Sequence, residues 1–89
     1  MTNQPQTAEE WKNKGNEYFE KEDYQSALDC YNKALEIDPN YGPAYCNIGQ
    51  VYRRLEQYEK AIEYYNKAIA VGFNKAYGNL GDIYYNQLK

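Results

Sequence analysis

Apolar and small residues recur every three or four positions along most of the chain, separated by polar residues. One segment carries Trp11, Gly15 and Tyr18 at this spacing, and the next carries Ala27 and Tyr31. Residues spaced in this way share one face of an α-helix, which is the face that packs against a neighbouring element. The pattern predicts an all-α fold of five amphipathic helices, at about residues 8–21, 24–37, 42–55, 58–71 and 75–87.

The helical pattern is itself repeated along the chain. Segment 11–18 returns at 45–52 and again at 77–84, in steps of 34 and 32 residues. Such a period is typical of stacked helical repeats, in which each repeat packs only on its neighbours. Each of these segments carries one glycine, at Gly15, Gly49 and Gly81. A glycine inside a helix costs about 1 kcal/mol relative to alanine, so its recurrence predicts close packing of helices there.

Residues that favour helix ends lie between the periodic segments. Thr7 and Glu10 have the spacing of a capping box at the start of the first helix. Asp23 is expected to cap the second helix, which must end before Pro39 because the residue preceding a proline disfavours the helical conformation. Gly72 is expected to end the fourth helix, and Asn74 to cap the fifth.

The repeated segments resemble the tetratricopeptide family. Residues 11–18 match the spacing W-x-x-L-G-x-x-Y, and residues 27–39 match A-x-x-x-F followed by a proline. Two positions depart from this signature, since Lys14 takes the place of leucine and Phe73 takes the place of the second proline. The third repeat stops after its first helix.

The resemblance implies a right-handed α-solenoid of antiparallel helix pairs. Its first helices would line a concave groove, and such surfaces bind peptides in solenoid proteins. The expected organisation is a disordered N-terminal segment at 1–7 and a repeat domain at 8–89, with repeats at 8–41 and 42–73 and a half repeat at 74–89.

The expected groove residues are those on the first helices that do not point into the core. They are mostly amides and bases, and the peptide-binding set is Lys12, Asn13, Asn16, Asn47, Gln50, Arg53, Arg54, Lys75 and Asn79. The set carries four positive charges on a chain whose net charge is −3.

Part of this set resembles the carboxylate clamp of tetratricopeptide domains that bind the acidic C-terminal tails of chaperones. The resemblance covers Lys12, Asn16, Asn47 and Lys75, whereas Asn79 stands where the clamp has arginine. Lysine and asparagine donors suit a terminal carboxylate, but the missing arginine removes its bidentate partner. The groove is therefore expected to bind either an acidic C-terminal tail or another peptide.

Composition excludes several other classes of partner. Nine of the twelve tyrosines, Tyr77 and Tyr84 among them, fall on repeat core positions, so helix packing explains the aromatic content. The acidic pI near 4.9 argues against binding to phosphate backbones, and hence against nucleic acid. The sequence shows neither a membrane-span run nor a signal peptide, so no membrane partner is expected, and its two cysteines, expected to be reduced, fit a cytoplasmic protein.

The residues that catalysis would need are missing. The chain has no histidine and no glycine-rich phosphate loop, so neither a histidine-based triad nor a nucleotide site is expected. Cys30 and Cys46 lack metal-site spacing and lie off the core repeat positions, so they are expected to be free thiols. The prediction is a non-enzymatic adaptor or scaffold without cofactor or metal.

An alternative function comes from the C-terminal helix. It has no partner helix in the sequence, so Leu80, Ile83, Tyr84 and Leu88 are not all expected to be covered. The chain would then be a structural fragment of a longer array, or would form a homodimer through this helix.

Overall fold

The computed structural model describes residues 4–87, and all of the regular secondary structure in this range is helical. The helices span Ala8–Glu20 (α1), Tyr24–Ile37 (α2), Gly42–Arg54 (α3), Tyr58–Ala70 (α4) and Ala76–Asp82 (α5), and a π-helical turn over Ile83–Gln87 continues α5. No strand occurs between residues 4 and 87, so the prediction of five helices in an all-α fold is confirmed. The expectation for Leu88 lies outside the described residues.

Most of the predicted helix ends are found in the structure. The Glu10 amide donates to Thr7 Oγ1 at 3.1 Å and the Thr7 amide donates to Glu10 Oε1 at 3.2 Å, which completes the capping box. Asp23 caps α2 by accepting from the Ser26 amide. The cap expected from Asn74 is wrong, because α5 begins one residue later and Lys75 occupies the N-cap position without a side-chain bond.

The turns inside the two helix pairs have the same backbone conformation. Glu22 and Glu56, which are 34 residues apart, adopt φ angles of 62° and 61°. The next amide in each turn, from Asp23 or Gln57, donates to a carbonyl five residues earlier, at 2.9 and 2.8 Å respectively. Because both pairs turn alike, equivalent residues of α1 and α3 lie at equivalent places on the surface.

The core of each pair is a tyrosine ring packed on a glycine. A Cβ atom added to Gly15 would lie 2.6 Å from the Tyr31 ring, and one added to Gly49 would lie 2.7 Å from the Tyr65 ring. Both tyrosines are buried. The close packing predicted from the repeated glycines is therefore confirmed in these two pairs. At Gly81, by contrast, an added Cβ would meet no atom within 4 Å among the described residues.

The third repeat is only partly covered. Ile83 is buried against α4, but Tyr77 and Tyr84 are 60% and 55% exposed. The expectation that these two tyrosines occupy core positions is wrong. Their counterparts in the first two repeats are partly buried, as Tyr52 is where it stacks on Tyr64 of α4, and α5 has no such partner helix in the described chain.

Both cysteines are free, as expected, but their location differs from the prediction. Cys30 and Cys46 are 5% and 3% exposed, so they lie in the interior although they are off the core repeat positions. Cys46 packs in a cluster with residues of α4 and α5, so the next elements of the array cover it, whereas the residues around Cys30, such as Trp11 and Lys14, belong to its own helix pair. Burial raises the pKa of each thiol above its ordinary value.

We predict opposite effects of alanine at two equivalent glycines. Gly49→Ala should lower the free energy of unfolding by about 1–3 kcal/mol, since the new methyl group must displace a buried ring. Gly81→Ala should leave thermal stability unchanged or raise it by up to about 1 kcal/mol, because its surroundings are open and alanine favours the helix. Melting curves followed by circular dichroism measure both. Equal losses in the two variants would contradict this packing.

We also predict slow alkylation of Cys30 and Cys46 in the folded protein. Both thiols are covered, and their raised pKa values leave less of the reactive thiolate at neutral pH. Mass spectrometry after a short pulse of iodoacetamide should find little modification in buffer and two modified cysteines in denaturant. Rapid modification in buffer would show that the thiols are exposed.

Candidate functional site

The predicted groove residues are carried by the first helix of each pair. Lys12, Asn13 and Asn16 lie on α1, Asn47, Gln50, Arg53 and Arg54 lie on α3, Asn79 lies on α5, and Lys75 immediately precedes α5. Helices α1 and α3 contact each other directly, and a hydrogen bond from Asn79 to Cys46 joins α5 to α3. The set therefore follows one side of the array from its first pair to its last helix.

The centre of the candidate site is an asparagine pair bridging α1 and α3. Asn16 Oδ1 accepts a hydrogen bond of 2.5 Å from the Tyr31 hydroxyl and another of 3.0 Å from Asn47 Nδ2. Two donors on one oxygen fix which way the Asn16 amide faces. Within residues 4–87 the amide nitrogen of Asn16 donates to no protein group, so it remains a donor for a ligand acceptor.

Asn79 and Lys75 approach the same region from the last helix. Asn79 Nδ2 lies 3.0 Å from Cys46 Sγ, next to Asn47 on α3. The positive charge of Lys75 lowers the pKa of Cys46, although less than burial raises it, which places Lys75 near the same residue. Four of the five clamp-like residues, all but Lys12, are thus connected with this junction by a hydrogen bond or by their charge. Lys12 lies one helical turn before Asn16 on α1.

The positive charges of the set are not neutralised by ion pairs. The salt bridge found in the described part of the chain joins Lys67 and Glu63 on α4, at 3.6 Å. The guanidinium group of Arg54 lies 5.0 Å from the Phe19 ring instead of a carboxylate. Lys12, Lys75 and Arg53 have no ion-pair partner in residues 4–87, which leaves them available to an acidic ligand.

Asn13 makes no hydrogen bond to the asparagine pair within residues 4–87. It is exposed and lines a concavity of about 480 Å³ beside the N-terminal segment, together with Gln6 and Glu17. A second concavity, of about 470 Å³, lies at the turn over residues 56–60. Both hollows are formed largely by residues outside the predicted set.

Sequence reasoning missed the polar role of two tyrosines. Tyr31 was assigned to the core, yet its hydroxyl fixes the Asn16 amide. Tyr65 is its counterpart, and both its hydroxyl and the nearby Arg53 Nε are buried without a hydrogen-bond partner in the described chain. Burial raises the pKa of Tyr65 to about 12, and the charge of Arg53 opposes this rise. The 34-residue repeat is the signal that relates the two tyrosines.

No group of three or more potential metal ligands occurs among the described residues. None of the helices there is long and apolar enough to cross a membrane.

Comparisons with known proteins agree on the architecture. The family model described as tetratricopeptide repeat matches residues 8–41 and 42–71. The solved structure of MamA superposes with a TM-score of 0.80 at 31% identity, over 91% of this chain and 48% of that one.

Curated relatives match over shorter segments. Small glutamine-rich tetratricopeptide repeat-containing protein beta from Homo sapiens is 45% identical over 40 residues, and stress-induced-phosphoprotein 1 from Caenorhabditis elegans is 51% identical over 43 residues. These matches cover 45% and 48% of this chain but 13% of each relative. With both of its complete repeats matched by the family model, the chain belongs to the tetratricopeptide repeat family.

Proposed function

We propose that this protein–protein interaction module binds a peptide in the groove formed by α1, α3 and α5, and that the peptide ends in an acidic segment with a free carboxylate. The observation that carries the proposal is the Asn16–Asn47 pair. One amide is held by two donors on its oxygen, so its nitrogen is presented to an acceptor at the junction of two helices.

The charges around the pair favour an anionic acceptor. Lys12 and Lys75 lie on either side of it along the array, on a protein of net charge −3. Charge-assisted hydrogen bonds from lysine and asparagine to a carboxylate are stronger than bonds between neutral groups. Since Asn79 replaces the arginine of the clamp-like pattern, the expected affinity is only in the micromolar range.

We also propose a cytoplasmic location and a role without catalysis. Two free thiols suit a reducing compartment, which supports a cytoplasmic adaptor or scaffold. The absence of histidine supports a role without catalysis, cofactor or metal.

A labelled peptide with an acidic C-terminal segment tests the groove. Its affinity should fall when the C-terminus is amidated, and should also fall in the Lys12→Ala and Lys75→Ala variants. Lys67→Ala is the matched control, because it removes an equal charge from α4, where Lys67 pairs with Glu63. Fluorescence anisotropy at two salt concentrations should show weaker binding in the higher salt. Equal losses in all three lysine variants would indicate a general charge effect and contradict the site.

The Asn79→Arg variant extends this test. Arginine would restore a bidentate donor beside the pair, so the free-acid peptide should bind more tightly, while the amidated peptide should change little. If neither peptide responds, the clamp geometry is wrong, although a less specific groove remains.

A second candidate function is self-association, which the exposure of α5 favours. Tyr77 and Tyr84 expose more than half of their surface, and the space beside Gly81 is open. Fully burying a large apolar side chain gains about 1.5–3 kcal/mol. Two copies paired about a two-fold axis through α5 would cover these groups and offset the cost of association.

Light scattering over a concentration series measures self-association directly. A dimer formed through α5 should dissociate in the Tyr77→Ser/Tyr84→Ser variant, since both side chains are exposed and the fold does not depend on them. Ile37→Ser is the control, because Ile37 is 50% exposed on α2. A wild-type protein that stays monomeric at all concentrations would exclude this function.

A further inference from the structure

The two repeats differ in how they satisfy one tyrosine hydroxyl. In the first repeat the Tyr31 hydroxyl donates to Asn16 Oδ1. One repeat later, Tyr65 is the equivalent residue and Gln50 stands in the place of Asn16. No hydrogen bond joins Tyr65 and Gln50 among the described residues, and the hydroxyl is left without an acceptor. A hydrogen bond therefore connects the core tyrosine with a groove residue in the first pair, and the corresponding bond is missing in the second pair.

A second donor lies beside the open hydroxyl. Arg53 stands where the first repeat has Phe19, so a cation replaces an aromatic ring. Its Nε atom is buried and has no hydrogen-bond partner in residues 4–87. A buried donor without an acceptor costs free energy, and a charged donor costs more. The phenol oxygen can itself accept from the nearby guanidinium group, but the tyrosine O–H and further guanidinium N–H groups then still lack an acceptor, which one added oxygen would supply.

The groups already present do not supply that acceptor. Asp82 on α5 is near enough to raise the pKa of Tyr65, but it is exposed and accepts no hydrogen bond from either donor in the described chain. Cys46, the other group that raises this pKa, accepts from Asn79. Arg53 is only partly buried on a long side chain, so it can turn and admit a ligand oxygen.

We infer that Arg53 and Tyr65 form a second subsite of the groove, which takes a side-chain carboxylate of the bound peptide. The inference rests on the proposed function, in which the Asn16–Asn47 pair takes the terminal carboxylate. An arginine fork and a phenol hydroxyl are both donors, and an anionic oxygen satisfies the charged one most strongly. The subsite supplies from α3 the arginine that is missing at Asn79.

Helix geometry locates the acidic residue within the peptide. Arg53 lies six residues beyond Asn47 on α3, which corresponds to about 9 Å at 1.5 Å per residue. An extended peptide spans this distance in about three residues. The subsite should therefore prefer glutamate over glutamine about three residues before the C-terminus, with little preference at the chain positions beyond it.

Two labelled peptides test the subsite, each with a free C-terminus and either Glu or Gln at that position. Wild-type protein should bind the Glu peptide about threefold to tenfold more tightly. The preference should vanish in Arg53→Gln and shrink in Arg53→Lys, which keeps the charge but loses the fork. Tyr65→Phe should also reduce it, whereas Lys67→Ala should leave it unchanged.

A matched pair of variants separates this role from a structural one. Tyr31→Phe removes a hydroxyl that is bonded to Asn16, so its melting temperature should fall. Tyr65→Phe removes a hydroxyl without a protein partner, so its melting temperature should stay the same or rise. A clear fall in Tyr65→Phe would show that this hydroxyl is already satisfied in the free protein and would overturn the inference.

The same binding experiments show whether the subsite alone is wrong or the whole peptide-binding groove is wrong. If amidation and Lys12→Ala weaken binding but the Glu preference is equal in wild type and Arg53→Gln, the subsite is wrong and the groove stands. If no free-acid peptide binds the wild type, both are wrong.

Discussion

The packing of a tyrosine ring on a glycine determines the rest of this structure. Tyr31 on Gly15 and Tyr65 on Gly49 leave no room for even a methyl group between the helices of each pair. This contact sets how closely each pair packs, and because the pairs turn alike it repeats at 34 residues. A large, rigid ring of fixed size specifies the distance between two helices better than several flexible side chains would.

The same residue connects the core with the groove. A tyrosine long enough to cross its partner helix at a glycine carries its hydroxyl to the far side, where Asn16 accepts from it. Helix packing and the orientation of a groove amide thus depend on one side chain. In the second pair the ring packs equally tightly, but Gln50 and Arg53 replace Asn16 and Phe19. Core geometry is therefore maintained while the polar chemistry at its edge differs between repeats.

Much of the fold could be predicted from the sequence, because repeat period, glycine phase and caps are local signals. Thr7 and Asp23 cap the starts of α1 and α2 as expected, and Gly72 follows the end of α4 with a positive φ angle. Gly49 also packs closely, as expected. The errors concern coverage by residues distant in sequence. Cys46 is buried by a neighbouring repeat, and Tyr84 is exposed because no second helix covers it within residues 4–87. Periodicity shows which residues share a face but not what lies against that face.

The candidate site was predicted less completely for a related reason. Helical spacing placed Asn16 and Asn47 on the groove side, but it could not show that Asn47 and Tyr31 both donate to Asn16 Oδ1. Nor could it show that Tyr65 and Arg53 would be left without acceptors, since that depends on side-chain reach across three helices. Alignment of the two repeats does contain a signal for this difference. The tyrosine is the same in both repeats, but Gln50 replaces Asn16, and a changed acceptor beside an unchanged tyrosine indicates a changed hydrogen bond.

The asparagine pair is the element of the groove proposed to take the terminal carboxylate, and its side-chain amides can be observed directly. Two-dimensional ¹H–¹⁵N spectra of the labelled protein, recorded during titration with an acidic free-acid peptide, resolve the amide groups of Asn16 and Asn47 from those of Asn32 and Asn66 on α2 and α4. The side-chain signals of Asn16 and Asn47 should shift with the peptide, and those of the two outer asparagines should not. Shifts confined to α5, or an unchanged Asn16 signal at saturating peptide, would contradict a groove centred on this pair.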